Sequence, residues 1–353
     1  MEETTTHHDF NHALYFQKWT GKRNPDVTSL PTSCAGPCVH VSYVTKFVLL
    51  GLAESPDVQP LLFGVFLLIY VLTLLGNIGM MTLVRIDPLL HTPMYFFLHH
   101  LSFADACYST VIMPNMLVSF ILRNKDISFP SCVAQLYSFV FFGIVECYLL
   151  AVMAYDRYAA VCSPLRYTVI LPKAVCVWLV STSYLLGFLY AAIYTGCTFG
   201  GSFCNSNVID HFFCDIGPLL KLSCSDSFLR EKVIFAFVSL NGISTSGIIF
   251  ISYLYVLSAV MRMRSARSRS KAFNTCASHL MVVSLFYGTG FFMYLQPSAN
   301  HNSPDKVAAV FYTLVTPLLN PFIYSLRNRE VKEAFMKHMK RSLSSSLNRG
   351  GRV

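Results

Sequence analysis

The 353-residue chain is poor in charge, because Asp, Glu, Lys and Arg together make up only 13% of it. An ordinary soluble domain carries about 25%. The sequence contains no nucleotide-binding loop, catalytic triad or zinc motif, so an enzyme is not expected. It also lacks an Asn-x-Ser/Thr glycosylation sequon. The N-terminus shows no charged segment followed by an apolar core and a cleavage site, so the first apolar span is expected to act as the targeting signal.

Long apolar runs are what the chain has instead, since 54% of its residues are hydrophobic. Runs of roughly 20 residues match the length that an α-helix needs to cross a ~30 Å hydrocarbon core. Lipid offers the backbone no hydrogen bonds, so such spans should be helices. The sequence therefore predicts an all-α membrane protein, a bundle of seven transmembrane helices in a domain covering 60–326. The predicted spans are 60–84, 95–121, 132–161, 174–196, 231–261, 272–296 and 305–326.

Basic residues indicate the orientation of the bundle. With the N-terminus outside, 17 of the 27 Lys and Arg residues fall in inner segments, and the loop 262–271 is dense with them. This excess is the positive-inside signature. The tail 1–59 is then extracellular and largely disordered, and the tail 327–353 is cytoplasmic with a short amphipathic helix. The net charge of +9 is distributed by topology, so a nucleic-acid partner is not expected.

The stretch from Met153 to Tyr167 reads MAYDRYAAVCSPLRY. Charges cost about 2.5–3.5 kcal/mol each inside lipid, so Asp156-Arg157-Tyr158 marks a membrane–water boundary at the end of the third span. An Asp-Arg-Tyr triplet at this place resembles the rhodopsin-like G-protein-coupled receptors. The longer string resembles their olfactory receptor branch.

The resemblance continues at separated sites along most of the chain. The strings LHTPMYFFL from Leu90 and KAFNTCASHL from Lys271 resemble olfactory receptors in particular, whereas Asn320-Pro321-x-x-Tyr324 is common to rhodopsin-like receptors. The resemblance implies an odorant-activated receptor of the plasma membrane. In such receptors the sixth helix swings outward and opens a cytoplasmic cleft for a stimulatory heterotrimeric G protein.

The same resemblance indicates which residues change their contacts when the receptor is activated. Arg157 is expected to leave Asp156 on activation and to meet Tyr253 and Tyr324, while the basic loop 262–271 flanks the cleft. The residues expected to serve coupling and switching are Asp156, Arg157, Tyr158, Tyr253, Asn320, Pro321 and Tyr324.

Two carboxylates, Asp105 and Glu146, are predicted to lie in the middle of spans, where a charge is costly and usually functional. One interpretation is a protonated acid held by hydrogen bonds. The other is a shared site for a cation such as Na⁺, with Asn77 and Asn320 nearby, since hard cations prefer oxygen ligands. The resemblance favours the cation for Asp105. No other cofactor is expected.

Six of the twelve cysteines are predicted at the outer side, which is oxidising during synthesis. Cys34 and Cys38 of the tail could bridge each other, and the other four lie at the outer end of the bundle. The resemblance pairs Cys132 with Cys214, and the ten-residue steps around Cys214 suggest that Cys204 pairs with Cys224. A metal site that combines His211 with these thiols is disfavoured, because no CxxC spacing supports it.

The outer halves of the third, fifth, sixth and seventh helices are expected to enclose a small apolar odorant. Asn241, Tyr287, Tyr294 and Thr313 could bind its polar end. Helix phase and the resemblance place eleven residues around the cavity: Phe139, Val140, Gly143, Ile144, Phe237, Val238, Asn241, Tyr287, Gly290, Tyr294 and Thr313. None of those from the third helix is acidic, so an amine ligand is disfavoured.

The alternative functions are a multispan transporter or channel, and a structural membrane protein. A transporter is disfavoured because the two halves of the sequence show no repeat and no paired helices interrupted by Gly or Pro. A structural protein would not need Asp-Arg-Tyr and Asn-Pro-x-x-Tyr at two cytoplasmic helix ends.

Overall fold

The structure is a computed structural model, and it describes residues 44–52, 57–122, 125–203, 206–224, 228–294, 304–327 and 329–350. Its main helices are labelled α1 to α8 in chain order. They are α1 Gln59–Ile86, α2 Pro93–Leu122, α3 Phe129–Cys162, α4 Lys173–Phe199, α5 Phe228–Arg262, α6 Ala266–Tyr294, α7 (Pro304–Val310, Phe311–Val315 and Thr316–Arg327 in succession) and α8 Arg329–Gly350.

Helices α1 to α7 coincide with the seven predicted spans to within a few residues, and the predicted seven-helix membrane fold is confirmed. Six of them are long and apolar enough to cross a membrane among the described residues. In α6 the apolar part is shorter, Cys276–Phe291. The first turns of α6 carry Arg267, Arg269 and Lys271, which explains the difference.

Three short strands form a sheet at the end of the bundle predicted to face outside, which we call the outer end. They are β1 Lys46–Leu49, β2 Asp126–Ser128 and β3 Val208–Ile209, in the order β2-β1-β3. The β1–β2 pair is antiparallel and the β1–β3 pair is parallel. Strand β1 lies in the tail predicted to be largely disordered, whereas residues 1–43 of that tail lie outside the described part.

Strand β1 is ordered because it has both a pairing partner and a buried side chain. Phe47 is fully buried, and its ring lies 5.9 Å from that of Phe129 and 5.5 Å from that of Phe203. The next segment turns at Gly51, whose φ of +81° favours glycine. Its carbonyl accepts a hydrogen bond from Lys306 on α7. The tail thus ties the first outer loop, which contains β2, and the second outer loop, which contains β3, to the seventh helix.

Two glycines allow close approach of helices below the sheet. A Cβ at Gly187 of α4 would lie 2.7 Å from Cγ2 of Val145, and one at Gly76 of α1 would lie 2.9 Å from Cγ of Pro321. The first contact sets α4 against α3, and the second sets α1 against α7.

Candidate ligand cavity and coupling region

A cavity of about 160 Å³ lies between α2, α3, α4, α5, α6 and α7 in the outer half of the bundle. Ile216, from a short helix Ile216–Lys221 in the second outer loop, contributes to its lining. The full lining is Tyr108, Phe139, Val140, Gly143, Ile144, Cys147, Tyr194, Ile216, Val238, Asn241, Gly242, Phe286, Tyr287, Gly290, Phe291 and Tyr312.

Eight of the eleven residues predicted around the ligand line this cavity; the other three are Phe237, Tyr294 and Thr313. Phe237 packs against Tyr190, with ring centroids 5.7 Å apart. The hydroxyl of Thr313 is buried and donates a hydrogen bond to the Ala309 carbonyl at 2.6 Å. The side chain of Tyr294 lies outside the described part.

A π-helical segment explains why Tyr312 of α7, and not Thr313, lines this cavity. The segment Phe311–Val315 closes wider turns than an α-helix, so each residue after its start is displaced around the axis. Tyr312 lines the cavity where regular helix phase predicted Thr313. The lining residues Cys147 and Phe291 could have been found by helical spacing, since each lies four positions after a predicted one.

The polar groups of the cavity are few. Asn241 is 6% exposed, and its Oδ1 atom has no hydrogen-bond partner among the described residues. The Tyr194 hydroxyl is likewise buried without a partner in the described ranges. The Tyr287 hydroxyl donates to the Cys147 carbonyl at 3.4 Å. No lining side chain carries a formal charge at neutral pH.

A disulfide between Cys132 and Cys214 joins the start of α3 to the second outer loop, with the two Cα atoms 5.6 Å apart. The Gln135 side chain strengthens this junction, because its Oε1 accepts a hydrogen bond from the Cys214 backbone N–H at 3.0 Å. The next residues of the loop lead to Ile216 at the cavity. The disulfide therefore holds the segment that closes the pocket.

Cys224 is also disulfide-bonded, while Cys204 lies outside the described residues. The backbone N–H of Cys224 donates to the Ser202 carbonyl at 2.9 Å, and Phe203 pairs with Ser223. The chain next to Cys204 thus runs beside Cys224. The pairing of Cys204 with Cys224 stays a prediction.

His211 stacks between aromatic rings in the same loop, with centroids 4.6 Å from Phe212 and 4.5 Å from Phe213. Burial lowers its pKa to about 3, so the ring is neutral at physiological pH. Because Cys214 is in a disulfide, it cannot provide a thiolate ligand beside His211.

The carboxyl groups of Asp105 and Glu146 meet in the middle of the bundle. Both residues are buried, and the two carboxyl groups are close enough to repel each other when both are charged. Asn320 donates from Nδ2 to both Asp105 oxygens at 3.0 Å. Asn77 donates to the Pro317 carbonyl at 3.0 Å, which links α1 to α7 beside the acids.

At the opposite, inner end, the structure differs from the expected resting pair. Asp156 accepts a hydrogen bond from the Tyr167 hydroxyl at 2.6 Å. No Arg157 nitrogen is within 4.0 Å of a carboxylate among the described residues. Its Nη2 contacts the Met94 sulfur, and its Nε is buried without a partner in the described part.

Of the other predicted switch residues, Tyr253 and Tyr324 lie near Arg157. The Tyr253 hydroxyl is hydrogen-bonded to Nδ1 of His279 at 2.8 Å, and this bond joins α5 to α6. Tyr324 of α7 is buried, with a hydroxyl that has no partner in the described segments. Tyr158 lies outside this group, with its ring against Tyr155 and Tyr255.

Comparisons with known proteins agree with this arrangement. A profile of the olfactory receptor family matches residues 66–342. Olfactory receptor 8U3 of Mus musculus is 51% identical over 300 residues, which cover 85% of this chain and 94% of that protein. Olfactory receptor 5AP2 of Mus musculus is 56% identical over 299 residues, 84% of this chain and 94% of that one. The crystal structure of squid rhodopsin matches with a TM-score of 0.65 at 18% identity, covering 82% and 83% of the two chains. The rhodopsin match concerns the fold alone.

Proposed function

The chain belongs to the olfactory receptor family of rhodopsin-like G-protein-coupled receptors, and from this membership we propose how it binds an odorant and signals. It is a multi-pass plasma-membrane receptor and not an enzyme. The proposal places a small, largely apolar odorant in the outer cavity and couples it to a stimulatory heterotrimeric G protein. The observation that carries it is the mostly apolar cavity beneath the second outer loop.

The size of the cavity limits the ligand. An apolar cavity of about 150 Å³ in another protein binds benzene, so about 160 Å³ suits a molecule of roughly six to ten heavy atoms. Small ligands gain at most about 1.5 kcal/mol per heavy atom, and micromolar affinity requires about 8 kcal/mol. Micromolar potency is therefore expected of a well-fitting odorant.

The polar lining selects one functional group. The unpartnered Oδ1 of Asn241 accepts hydrogen bonds, so a ligand with a hydroxyl group satisfies a buried atom that otherwise has no partner. A charged amine would lose its hydration without meeting a carboxylate among the lining residues. A short-chain or aromatic alcohol is the ligand class that fits both observations.

Helix α6 connects the ligand to the inner end. Four of its residues line the cavity, and the same helix carries His279 about two to three turns further in. An outward swing of α6 separates His279 from Tyr253 and breaks their hydrogen bond. The released Tyr253 hydroxyl is then available to Arg157, whose Nε lacks a partner in the described structure. Only the part of the binding energy that differs between the two states drives this change.

A sodium ion is proposed at the buried acids. The two oxygens of Glu146, Oδ1 of Asn77 and Oδ1 of Asn320 have no hydrogen-bond partner among the described residues. Together with Asp105 they form an all-oxygen set that suits a hard cation. A bound cation would offset the repulsion between the two carboxylates, and these residues hold α1, α2, α3 and α7 together in either case.

The test is cyclic AMP production in cells that express the full chain, after exposure to alcohols, ketones and hydrocarbons of matched size. Alcohols of six to ten heavy atoms are expected to be most potent. Asn241→Leu should reduce their potency by roughly two- to tenfold, the value of one hydrogen bond, and leave the hydrocarbons unchanged. Responses that persist without G protein would instead support a transporter or channel.

Substitutions at two comparable glycines test whether the odorant binds in this cavity. A Cβ at Gly290 or at Gly247 meets nothing within 4 Å, but only Gly290 lines the cavity. Gly290→Val should therefore shift the preference toward smaller alcohols, whereas Gly247→Val on α5 should leave it unchanged. Equal effects of the two substitutions would contradict binding in this cavity.

A further inference from the structure

Arg85 lies in the last turn of α1, at the inner end of the bundle. Its Nε donates a hydrogen bond to Nε2 of His99 at 3.1 Å. His99 lies six residues into α2, which is about 9 Å along the helix axis. Arginine side chains at a membrane boundary normally extend toward water. Arg85 is exposed, and its hydrogen bond to His99 holds the guanidinium against α2 instead of leaving it free to extend toward water.

This cation has no carboxylate partner within 4.0 Å among the described residues. The ion pairs at the inner end join Lys337 and His338 to Asp87 instead. The hydrogen bond to His99 uses only Nε, so both terminal nitrogens of the guanidinium keep their N–H donors. A fixed cation at this depth without a counter-ion is costly, so an anion is expected beside it.

The hydrogen bond from Arg85 also fixes the tautomer of His99. Because Nε2 of a neutral His99 accepts from Arg85, its ring proton must be on Nδ1. Exposed apolar side chains lie on the neighbouring turns: Ile86 is 49% exposed, Leu89 65% and Phe103 43%. Such a surface contacts lipid, so the anion must enter from the bilayer rather than from water.

We propose that Arg85, positioned by His99, binds the phosphate group of an anionic phospholipid of the inner leaflet. The planar guanidinium matches two phosphate oxygens with parallel N–H bonds, and the cytoplasmic leaflet is the one rich in anionic lipid. The apolar residues around Arg85 receive the first carbons of the acyl chains. The site is separate from the odorant cavity and from the coupling residues.

The experiment is native mass spectrometry of the purified full-length receptor, released from micelles that contain equimolar phosphatidylserine and phosphatidylcholine. Wild-type receptor should retain phosphatidylserine preferentially. Arg85→Gln should lower that occupancy about tenfold, the factor equivalent to about 1.4 kcal/mol for the loss of a charge-assisted hydrogen bond. His99→Leu keeps the charge but releases the guanidinium, so it should give an intermediate loss.

Arg262→Gln is the matched control, because Arg262 is an exposed arginine in the last turn of α5 with no histidine holding it in the described structure. It should leave the occupancy near that of the wild type. Equal losses in both arginine variants would show attraction by general positive charge and overturn the proposal. So would equal retention of the two lipids by the wild type, or displacement of phosphatidylserine by millimolar inorganic phosphate.

Discussion

We propose from its surroundings that Arg157 carries the coupling step. It is nearly buried, yet its contacts are the weakly accepting Met94 sulfur and no carboxylate in the described part. A cation held so loosely can move to the hydroxyls of Tyr253 and Tyr324 without losing its charge. We therefore expect Arg157→Ala to abolish odorant-evoked cyclic AMP while odorant binding and surface level stay near those of the wild type.

Two further variants separate charge from geometry. Arg157→Lys keeps the charge but loses the planar group of donors, so its maximal response should lie between those of the wild type and the alanine variant. Tyr158→Phe changes a neighbouring side chain that packs outside the group, and its response should be close to normal. Full signalling by Arg157→Ala at matched surface expression would refute this role.

At the scale of the element, the second outer loop depends on its covalent attachment to α3. Loss of a native disulfide typically costs about 2–5 kcal/mol, and the Cys132–Cys214 bond holds the loop that closes the cavity. Cys132→Ser and Cys214→Ser should each remove most surface expression, and the double variant should be no worse than either. Flow cytometry of a tagged receptor measures this.

Cys197→Ser is the control for these serine substitutions, because Cys197 is a half-buried free cysteine on α4 near the same end. Its surface expression should be unchanged. If the two single variants reach the surface and respond normally, the loop is held by its hydrogen bonds and strands alone.

Helix α8 docks on the first inner loop through Asp87. Lys337 hydrogen-bonds this carboxylate at 3.0 Å and lowers its pKa, with help from the Leu89 backbone N–H and against the effect of burial. A lowered folded-state pKa gives stability that is present above the unfolded value of about 3.9 and is lost as pH falls through the folded value. Docking through Asp87 should therefore be independent of pH across the cytosolic range.

Hydrogen exchange of the α8 backbone checks this contact. Asp87→Asn should speed exchange in α8 at pH 7, because it removes the charge that Lys337 and His338 contact. Lys340→Gln alters an exposed lysine of the same helix and should leave exchange unchanged. Equal protection in Asp87→Asn and in the wild type would mean that packing of Val331 and Ala334 alone holds the helix.

The elements differ in how far the sequence could predict them. The spans follow from apolar length, which acts locally, so their bounds were predictable to a few residues. Strand β1 was missed because its order comes from pairing with β2 and β3, which are distant in the chain. The π-helical segment of α7 was missed for a similar reason, since packing against neighbouring helices and not composition fixes its turns.

The lining of the candidate cavity was also predictable only where local sequence determines it. Residues of α3 such as Phe139 and Gly143 could be placed by helix phase, because α3 is regular throughout that stretch. Tyr108 lies on α2 and Tyr194 on α4, and the positions of apolar residues along these helices do not reveal which face points toward the cavity. Their position depends on how α2 and α4 are rotated in the bundle, which is a property of tertiary packing.

At the scale of the whole molecule, the buried acids connect the odorant cavity with the coupling region. Asp105 and Glu146 lie on α2 and α3 between the two, and Asn320 joins them to α7 through Asp105. Any change in the relative position of these helices alters the oxygen set. A ligand of this centre that prefers one arrangement must therefore change the apparent potency of an odorant, by thermodynamic reciprocity.

Sodium is the ligand expected to show this effect, with a preference for the resting arrangement. Raising Na⁺ at constant ionic strength, with choline as the replacement, should weaken odorant potency by at least about fivefold, the lower end of common coupling energies. Asp105→Asn removes one carboxylate from the oxygen set and should flatten the dependence. Asp57→Asn removes an exposed carboxylate outside the bundle and should keep it. A potency that is constant across the Na⁺ series in the wild type would mean that Asp105 and Glu146 share a proton, because that arrangement satisfies the pair without any cation.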